Sequence, residues 1–353
     1  MKTAVWHGPR DIRIEDRPEP GEPGRGEVII AVERAGICGS DVSEFLDGPH
    51  AIPMDRPHPL TGRKAPLILG HEYSGVVVAV GDGVDGIKEG DRVCGDATLR
   101  CNECFWCKKG EYNLCKYGAA IGLHTDGAFA EFLTVPAYTI VHLPDEITFE
   151  EGAMVEPLAV GLHAIKKGSL VPGEEVVIFG FGMIGAAIAL FAKASGAAGI
   201  YIVEPNESRR RAAEELGVDG CYDAISERSR REIYERTGKI GPDVVFDCTG
   251  RTEAFHEIVE YARRGGRVVI AGIGHSKAEL DTRRVVYYER MIIGAIGYQY
   301  DLPLVVKMMA KSMIDVKKFI GDVIPLTRIV TDGFERLVAS PATPLRVLVD
   351  PKR

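Results

Sequence analysis

A glycine-rich turn between an apolar strand and an alanine-rich helix constrains the fold of this chain more than any other feature. The apolar residues 176–179 lead into Gly180-Phe-Gly182-Met-Ile-Gly185, and a helix is predicted over residues 183–195. In a G-x-G-x-x-G turn the first glycine makes the turn, the second lets a pyrophosphate approach, and the third allows close helix–strand packing. The N-terminus of the helix stabilises phosphate charge. The turn predicts a dinucleotide site at Gly180, Gly182, Met183, Ile184 and Gly185.

The end of the next predicted strand, residues 199–204, indicates which dinucleotide is bound. Glu204 follows Gly185 by 19 residues. A carboxylate at this position accepts hydrogen bonds from a ribose 2′-hydroxyl and repels a 2′-phosphate, which favours NAD. The basic residues 209–211 come next, and they could instead serve NADP or form the solvated face of a helix. The acid and the turn together favour NAD.

From about residue 152 onward, strands and helices alternate. Strands are predicted over residues 175–179, 199–204, 243–248, 267–272 and 291–296, and helices over 207–216 and 252–263. Alternation of this kind predicts a parallel sheet covered on both faces.

Residues 1 to about 150 have a different character, with short apolar stretches bounded by Gly, Pro and Asp. Examples are residues 28–32, 73–80 and 129–135, which read as strands, whereas helical periodicity is weak. Residues 47–62 carry four Pro and two Gly and predict an irregular loop. The tail contains a predicted helix at 302–311 and a strand at 345–349, and it is expected to pack on the first domain because ~55 residues make a marginal core.

Length and charge limit the possible functions. A chain of 353 residues suggests two domains, and 51 acidic against 43 basic residues give a net charge of −8. This balance argues against non-specific binding to nucleic acid or to an anionic membrane. No apolar run approaches the ~20 residues of a membrane span, and the first residues lack the apolar segment of a signal peptide. A cytoplasmic location is the expectation.

Four cysteines are clustered in the spacing Cys101-x2-Cys104-x2-Cys107-x7-Cys115. In a reducing compartment such clustering indicates a metal rather than disulfides, and four thiolates suit a closed tetrahedral zinc site. The rival is an iron–sulfur cluster, whose common bacterial motif has a shorter last gap and a proline after the fourth cysteine. Here the last gap is seven residues and Lys116 follows. The spacing therefore favours structural zinc.

Three further candidate metal ligands are far apart in the sequence. Cys38 lies in GICGSD, His71 in GHEY and Glu156 in MVEP. Taken alone, a cysteine is usually a core residue and a histidine is usually a hydrogen-bonded structural residue. Spacing by itself does not join these three.

A resemblance to a known family joins them. The motif Gly70-His71-Glu72-x2-Gly75-x5-Gly81-x2-Val84, the cysteine cluster and the Gly180 turn resemble the zinc-dependent medium-chain dehydrogenase/reductase family, in its alcohol dehydrogenase-like group. The resemblance covers essentially the full chain. It implies an α/β protein in which a GroES-like β-barrel catalytic domain is formed by residues 1–157 and 298–353. A Rossmann domain with a doubly wound parallel sheet would span residues 158–297.

The same resemblance implies a catalytic zinc held by Cys38, His71 and Glu156, so that each chain would bind two zinc ions. Glu72 would either tune that zinc without binding it or ligate it transiently. Ser40 corresponds to the hydroxyl that accepts the alcohol proton. Relatives commonly have His at the position of Ser43, where it ends a proton relay, and serine puts that relay in doubt.

Two arginines are implied in cofactor binding. Arg346 resembles an arginine that binds the pyrophosphate, with an ordinary surface arginine as the alternative. Arg209 matches a basic residue that contacts the adenosine ribose.

The implied activity is zinc-dependent, reversible, NAD-linked oxidation of a small secondary alcohol. Glu156 within EPLAVGLHA resembles the sorbitol and butanediol branch, and the loop at 47–62 resembles the part of that branch acting on vicinal diols such as 2,3-butanediol. Sorbitol or another polyol, and L-threonine, are the alternative substrates. A non-catalytic NAD(H) sensor is a further alternative, although sensing needs no open zinc site. Family members are homodimers or homotetramers, and residues 291–296 resemble the edge strand through which they pair.

Overall fold

The computed structural model describes residues 1–274, 276–339 and 345–353. The chain divides into two compact units, one made of Met1–Glu156 with Leu302–Arg353 and the other of Pro157–Asp301. The domain limits proposed from the sequence lie one residue from the first of these boundaries and four residues from the second.

The described residues form eighteen strands and eleven α-helices. The strands of the first unit are β1 (Lys2–Gly8), β2 (Asp11–Asp16), β3 (Glu27–Gly36), β4 (Leu67–Ile68), β5 (Glu72–Val80), β6 (Arg92–Gly95), β7 (Thr98–Leu99), β8 (Ala119–Ala120), β9 (Phe132–Pro136), β10 (Ile140–His142), β17 (Ile320–Pro325) and β18 (Arg346–Asp350). The second unit contains β11 (Glu175–Phe179), β12 (Gly199–Val203), β13 (Gly220–Tyr222), β14 (Val244–Asp247), β15 (Arg267–Ile270) and β16 (Met291–Gly294). The helices are α1 (Gly39–Asp47), α2 (Phe105–Lys108), α3 (Phe149–Ala153), α4 (Val155–Lys167), α5 (Met183–Ala194), α6 (Glu207–Leu216), α7 (Glu227–Arg236), α8 (Phe255–Val259), α9 (Thr282–Tyr287), α10 (Leu302–Ala310) and α11 (Arg336–Ala339).

The first unit is built on a seven-stranded sheet in the order β10-β6-β5-β3-β18-β17, with β9 also pairing with β3. The C-terminal strand β18 runs antiparallel to β3, so that Leu348 lies opposite Gly36. The tail thus returns to the first unit, as the sequence predicted. The core beneath this sheet includes the fully buried rings of Trp6, Phe45, Phe129 and Phe334.

Helix α1 is a departure from the expected strand-rich pattern. It begins directly after Cys38 and buries Asp41, Glu44 and Phe45. Only Val42, Phe45 and Leu46 carry its helical spacing, and three apolar residues in a nine-residue segment are too short a pattern to be recognised as a helix. The residues that follow, up to Pro66, contain no strand or helix, in agreement with the predicted loop.

The second unit contains a six-stranded parallel sheet in the order β13-β12-β11-β14-β15-β16. This is the doubly wound order in which the chain reverses direction beside β11, the strand that leads into the glycine-rich turn. The predicted strands are all present. The sequence missed β13, α7 and α9, and the helix expected over 252–263 is limited to a 3₁₀ turn at Thr252–Ala254 and the short α8. Helix α7 is mostly charged and buries only Ser229 and Ile233, so its apolar stripe is too narrow to detect.

No helix among the described residues has both the length and the apolar character that crossing a membrane requires.

Candidate active site and zinc sites

The four clustered cysteines bring their sulfur atoms together in the first unit. The Sγ–Sγ distances are 3.5 Å for Cys104–Cys107 and for Cys101–Cys115, and 3.9 Å for Cys101–Cys107 and for Cys104–Cys115. Four sulfurs at ~2.3 Å from a tetrahedral zinc would lie ~3.8 Å apart. The lobe therefore fits one zinc ion with a complete sulfur shell.

The backbone prepares these thiols for a metal. The N–H groups of Cys107 and Lys116 lower the pKa of Cys104 to about 6, and backbone donors likewise lower the pKa of Cys101. Burial and the neighbouring thiols raise the pKa of Cys107 to about 12. Since zinc binds thiolates, the two groups with lowered pKa values are already suited to it, and Cys107 must lose its proton on binding.

The second group of potential ligands is assembled by the pairing of β3 with β5. Gly36 lies opposite Glu72, so Cys38, just after β3, and His71, just before β5, meet at the same end of the sheet. A Cβ atom on residue 36 would stand 2.2 Å from Glu72 Oε2, which explains the glycine there. One potential ligand atom each from Cys38, His71 and Glu72 lies within 4.8 Å of the others.

His71 is oriented by the start of helix α1. Asp41 Oδ1 lies 3.4 Å from His71 Nδ1, and Asp41 Oδ2 accepts a hydrogen bond of 2.9 Å from the N–H of Cys38. A carboxylate beside Nδ1 favours the proton on that nitrogen and leaves the lone pair of Nε2 for a metal. On the other side of the ring, Nε2 lies 3.3 Å from Ser40 Oγ. Asp41 is not among the site residues predicted from the sequence, although its position three residues after Cys38 is the spacing of a capping box.

Glu72 is buried against an arginine from the C-terminal strand. Arg346 Nη2 lies 3.0 Å from Glu72 Oε1, and Arg346 Nη1 donates a hydrogen bond of 2.5 Å to the carbonyl of Ile37. Arg346 is 4% exposed, so the alternative of an ordinary surface arginine is wrong. Burial raises the pKa of Glu72, and Arg346 opposes that rise.

Several buried polar atoms around this group make no hydrogen bond with the residues that the structure describes. They are Asp41 Oδ1, His71 Nδ1 and both carboxylate oxygens of Glu72. Asp41 Oδ1 and His71 Nδ1 do lie within 4 Å of each other, and Glu72 Oε1 lies within 4 Å of Arg346. Buried polar atoms in proteins nearly always have partners. A divalent cation next to Cys38 and His71 would compensate the negative charge collected here, so the donor set fits zinc.

Glu156 lies at the N-terminus of α4 and is not a member of the group formed by Cys38, His71 and Glu72. Burial disfavours the charged form of Arg346, but the carboxylate of Glu72, followed by Cys38 and Glu156, raises the pKa of this arginine. Glu156 thus acts on the same buried guanidinium. Its role as a zinc ligand stays a prediction.

In the second unit, the three glycines of the turn have the three expected environments. Gly180 has a φ of +85°, which favours glycine. A Cβ atom on Gly182 would meet no atom closer than 4.0 Å, which leaves the backbone approachable, whereas one on Gly185 would stand 2.0 Å from the carbonyl of Gly180. Open backbone at Gly182 beside the N-terminus of α5 fits a pyrophosphate.

Glu204 lies directly after β12, next to this turn, and is buried. Its Oε2 accepts a 2.7 Å hydrogen bond from the N–H of Phe181, and its Oε1 accepts a 2.8 Å bond from the N–H of Asn206. Each carboxylate oxygen keeps a second lone pair, so both oxygens can also accept hydrogen bonds from ribose hydroxyls. Arg209 Nη1 lies 3.9 Å from Glu204 Oε2. Arg210 donates to the carbonyls of Glu204 and Pro205, and is therefore held at the strand end rather than on a solvated face.

A GroES-like unit with two groups of potential zinc ligands, joined in one chain to a Rossmann unit, is typical of a zinc-containing, NAD(P)-linked dehydrogenase. The family model described as "Alcohol dehydrogenase GroES-like domain" matches residues 24–145, and "Zinc-binding dehydrogenase" matches residues 184–311. The chain is 38% identical to an (R,R)-butanediol dehydrogenase of Bacillus subtilis, over 99% of this chain and 100% of that protein. It is 32% identical to a sorbitol dehydrogenase of the same organism, over 100% of this chain and 98% of that protein.

The fold agrees with these sequence relationships. The crystal structure of 2R,3R-butanediol dehydrogenase from Bacillus subtilis superposes with a TM-score of 0.93, covering 99% of both chains at 38% identity. A dehydrogenase from Escherichia coli CFT073, solved in complex with NADH, gives a TM-score of 0.89 at 26% identity, again covering 99% of both chains. The chain belongs to the zinc-containing alcohol dehydrogenase family, and the fold class predicted from the sequence is confirmed.

Proposed function

We propose that this protein catalyses reversible NAD-linked oxidation of a vicinal secondary diol, with 2,3-butanediol and acetoin as the alcohol and ketone. The chemistry is supported above all by the group of Cys38, His71 and Glu72, in which His71 Nδ1 and both carboxylate oxygens of Glu72 are buried and make no hydrogen bond with the described residues. The choice of substrate is supported by the full-length similarity to butanediol dehydrogenases.

In this proposal Cys38, His71 and Glu156 hold the catalytic zinc, and Glu72 is the carboxylate that can join them. Zinc supplies Lewis acidity that makes the substrate hydroxyl easier to deprotonate, and NAD accepts the hydride. Asp41 keeps the proton of His71 on Nδ1. Arg346 balances the charge of Glu72 and, through Ile37, ties the C-terminal strand to the segment that carries Cys38.

Ser40 is the proposed acceptor of the alcohol proton. Its hydroxyl lies in the exposed first turn of α1, 3.3 Å from His71 Nε2, and is therefore next to the metal-facing side of the ring. A serine accepts a proton only while passing its own proton onward, so a further acceptor is needed. Ser43 is a poor candidate because its hydroxyl donates to the carbonyl of Gly39 at 3.1 Å.

The cofactor is proposed to be NAD, held by Gly180, Gly182, Met183, Ile184 and Gly185 with Arg209 and Arg346. Glu204 is the proposed selector, because its buried carboxylate would repel a 2′-phosphate.

The loop at residues 47–62 is the part of the sequence that favours a diol. The carboxylate of Glu44 accepts hydrogen bonds from the N–H groups of His50, Ala51 and Ile52. The rings of His58 and His124 meet edge to face with their centroids 4.6 Å apart. These contacts give the loop a defined shape, as a specificity element requires.

A substrate panel tests the proposal. Initial rates of NADH formation with 2,3-butanediol, sorbitol, L-threonine and ethanol would be compared as kcat/KM, and we expect the diol to be preferred. A preference for sorbitol or L-threonine would overturn the substrate but not the reaction class. Binding of NAD without turnover of any alcohol would favour the sensor alternative.

The protein is also proposed to form homodimers or homotetramers through β16. This strand lies at the edge of the parallel sheet, and Met291 and Ile296 are about half exposed there. Val286 and Tyr287, just before the strand, are 71% and 79% exposed. Apolar side chains beside an unpaired strand edge are typical of an interaction surface.

A further inference from the structure

The amino ends of the strands in the second unit border a large cavity that the proposed reaction does not use. Asp243 precedes β14, Arg263 and Arg264 lie before β15, and Arg290 immediately precedes β16. The cavity has a volume of about 980 Å³ and is lined by six arginines, one lysine and four carboxylates, among other residues. We call it the arginine basin. The Gly180 turn and Glu204 lie at the opposite, carboxyl ends of the strands, so the basin is separate from the dinucleotide site.

The positive charge of the basin exceeds what its own acids neutralise. Asp243 pairs with Arg263 at 2.6 Å, and Glu260 pairs with Arg284 at 2.8 Å and with Arg290 at 3.2 Å. Counting the lining side chains, seven cations against four carboxylates leave an excess of three positive charges, and Glu235, which lies outside the lining at 3.6 Å from Lys239, reduces that excess to two. This excess occurs in a chain whose net charge is −8.

Three arginines supply cations that no acid neutralises. Among the residues that the structure describes, Arg230, Arg231 and Arg264 have no carboxylate within ion-pair distance. Arg230 is half-buried, whereas Arg231 and Arg264 are exposed. Guanidinium groups bind phosphate oxygens through two parallel N–H donors, a geometry that lysine does not offer.

Arg290 gives independent evidence for a ligand. Its side chain is 5% exposed, and its Nη2 donates a 2.6 Å hydrogen bond to the carbonyl of Ala262. Its Nε and Nη1 atoms, in contrast, make no hydrogen bond within the described parts of the chain, although Nη1 lies in ion-pair contact with Glu260. A buried guanidinium that lines a cavity and keeps an Nε donor without a partner is the kind of group that an anionic ligand would satisfy.

The surroundings of Tyr288 show that the electrostatic potential in the basin is positive. The guanidinium carbons of Arg264, Arg284 and Arg290 lie 4.8, 5.5 and 4.9 Å from the centre of its ring. The hydrogen bond with Arg284, followed by the charges of that arginine and of Arg264 and Arg290, lowers the pKa of Tyr288. Stabilisation of a phenolate indicates an environment that favours anions.

We propose that the arginine basin binds a small ligand with at least two phosphate groups, such as a polyphosphate or a bisphosphate ester, at a site distinct from the dinucleotide site. The volume is in the range of small-molecule sites. The remaining excess of two positive charges matches a ligand that carries two or more negative charges.

Calorimetric titration of the protein with inorganic pyrophosphate, in the presence of saturating NADH, tests this proposal. NADH occupies the dinucleotide site, so any remaining binding must occur elsewhere. We expect saturable binding at one site per chain. The double variant Arg231→Ala/Arg264→Ala should weaken it at least tenfold, and it should fold normally because both side chains are exposed. Its kcat should equal that of the wild-type protein.

Arg228→Ala is the matched control, because Arg228 lies on the same helix as Arg231 but is not part of the basin and pairs with Glu232 at 2.9 Å. It should change the affinity less than twofold. Equal losses in the control and the double variant would show general attraction to surface charge and overturn the proposal. Absence of pyrophosphate binding, or its abolition by NADH, would also overturn it. Binding of an acidic peptide in preference to pyrophosphate would identify a protein-docking surface instead.

Discussion

Two serines of helix α1 lie one turn apart but have different surroundings. Ser40 Oγ is next to His71 Nε2, whereas Ser43 Oγ is engaged with the carbonyl of Gly39. The same hydroxyl group therefore has access to His71 at one position and is tied to the helix backbone at the other.

We expect Ser40→Ala to lower kcat by ~10²–10⁴, the contribution of a positioned proton-transfer group. Ser43→Ala should change kcat far less and is the matched control. Ser43→His should raise the oxidation rate near neutral pH and add a pH dependence near ~6.5, where histidine ordinarily titrates. Rate profiles against pH, with a deuterated substrate to test whether hydride transfer limits the rate, measure this. Equal losses in the two alanine variants would show that Ser43 is an essential part of the proton path.

Glu204 is the residue on which cofactor preference should depend. Glu204→Ala should raise the ratio of kcat/KM with NADP to that with NAD by roughly tenfold or more, the effect of ~1.4 kcal/mol. Arg209, 3.9 Å from the carboxylate, would then be available to a 2′-phosphate, whereas Arg210 remains bound to backbone carbonyls.

Two controls separate charge from structure in that experiment. Glu204→Gln removes the charge but keeps an oxygen for the N–H of Phe181 or Asn206. Glu207→Ala removes an exposed acid from the first turn of α6 and should leave the ratio unchanged. A wild-type enzyme that already prefers NADP would contradict the role given to Glu204.

Among the elements, the cysteine lobe and the β3–β5 pair hold their ligands in different ways. The lobe is a short segment whose four sulfurs come from residues 101–115, so a bound metal would take the place of a hydrophobic core. The other group depends on strand pairing across the sheet. Loss of a ligand should therefore affect folding in the first case and activity in the second.

We predict two zinc ions per chain, measured by metal analysis of the purified protein. Cys104→Ser should remove one zinc and lower the Tm by several degrees. His71→Ala should remove the other zinc and abolish turnover while changing the Tm little. Cys221→Ser, a cysteine outside both groups, is the control. One zinc in the wild-type protein, or iron in place of zinc, would refute the assignment.

The lobe should also lose its metal on acidification. The pKa of Cys104 is lowered to about 6 in the folded chain, below the ordinary value of 9.0. A thiol whose pKa is lowered by folding stabilises the folded state at pH values above its ordinary pKa. That stabilisation is lost as the pH falls through about 6. Zinc release followed with a chromogenic chelator should therefore steepen below this pH. Zinc release that is independent of pH would contradict the conclusion that the cysteines bind zinc as thiolates.

At the scale of the whole molecule, β16 forms one edge of the parallel sheet. We predict that the protein is a dimer or tetramer by light scattering coupled to size exclusion. Met291→Lys combined with Val286→Lys should shift it toward the monomer, because two charges would be buried without partners. Val171→Lys, at a 52% exposed position of the same unit, is the control. A monomeric wild-type protein would rule out pairing through β16.

The sequence by itself determined the features whose physical cause is local. The turn at Gly180 could be predicted because a positive φ, an open backbone and a close helix contact each require glycine at a fixed spacing. The cysteine lobe could be predicted because its four ligands lie within 15 residues. The alternation of apolar strands with helices was sufficient for the parallel sheet, apart from short or highly charged elements such as β13 and α7.

Only the tertiary structure decided which distant residues meet. The register of β3 against β5 brings Cys38 and His71 together, and the return of β18 buries Arg346 against Glu72, 274 positions away. The periodicity of apolar residues predicts which face of a segment is buried, but it does not predict which other segment packs against that face. The arginine basin was missed for the same reason, because its charged side chains acquire their role only from neighbours that folding brings to them.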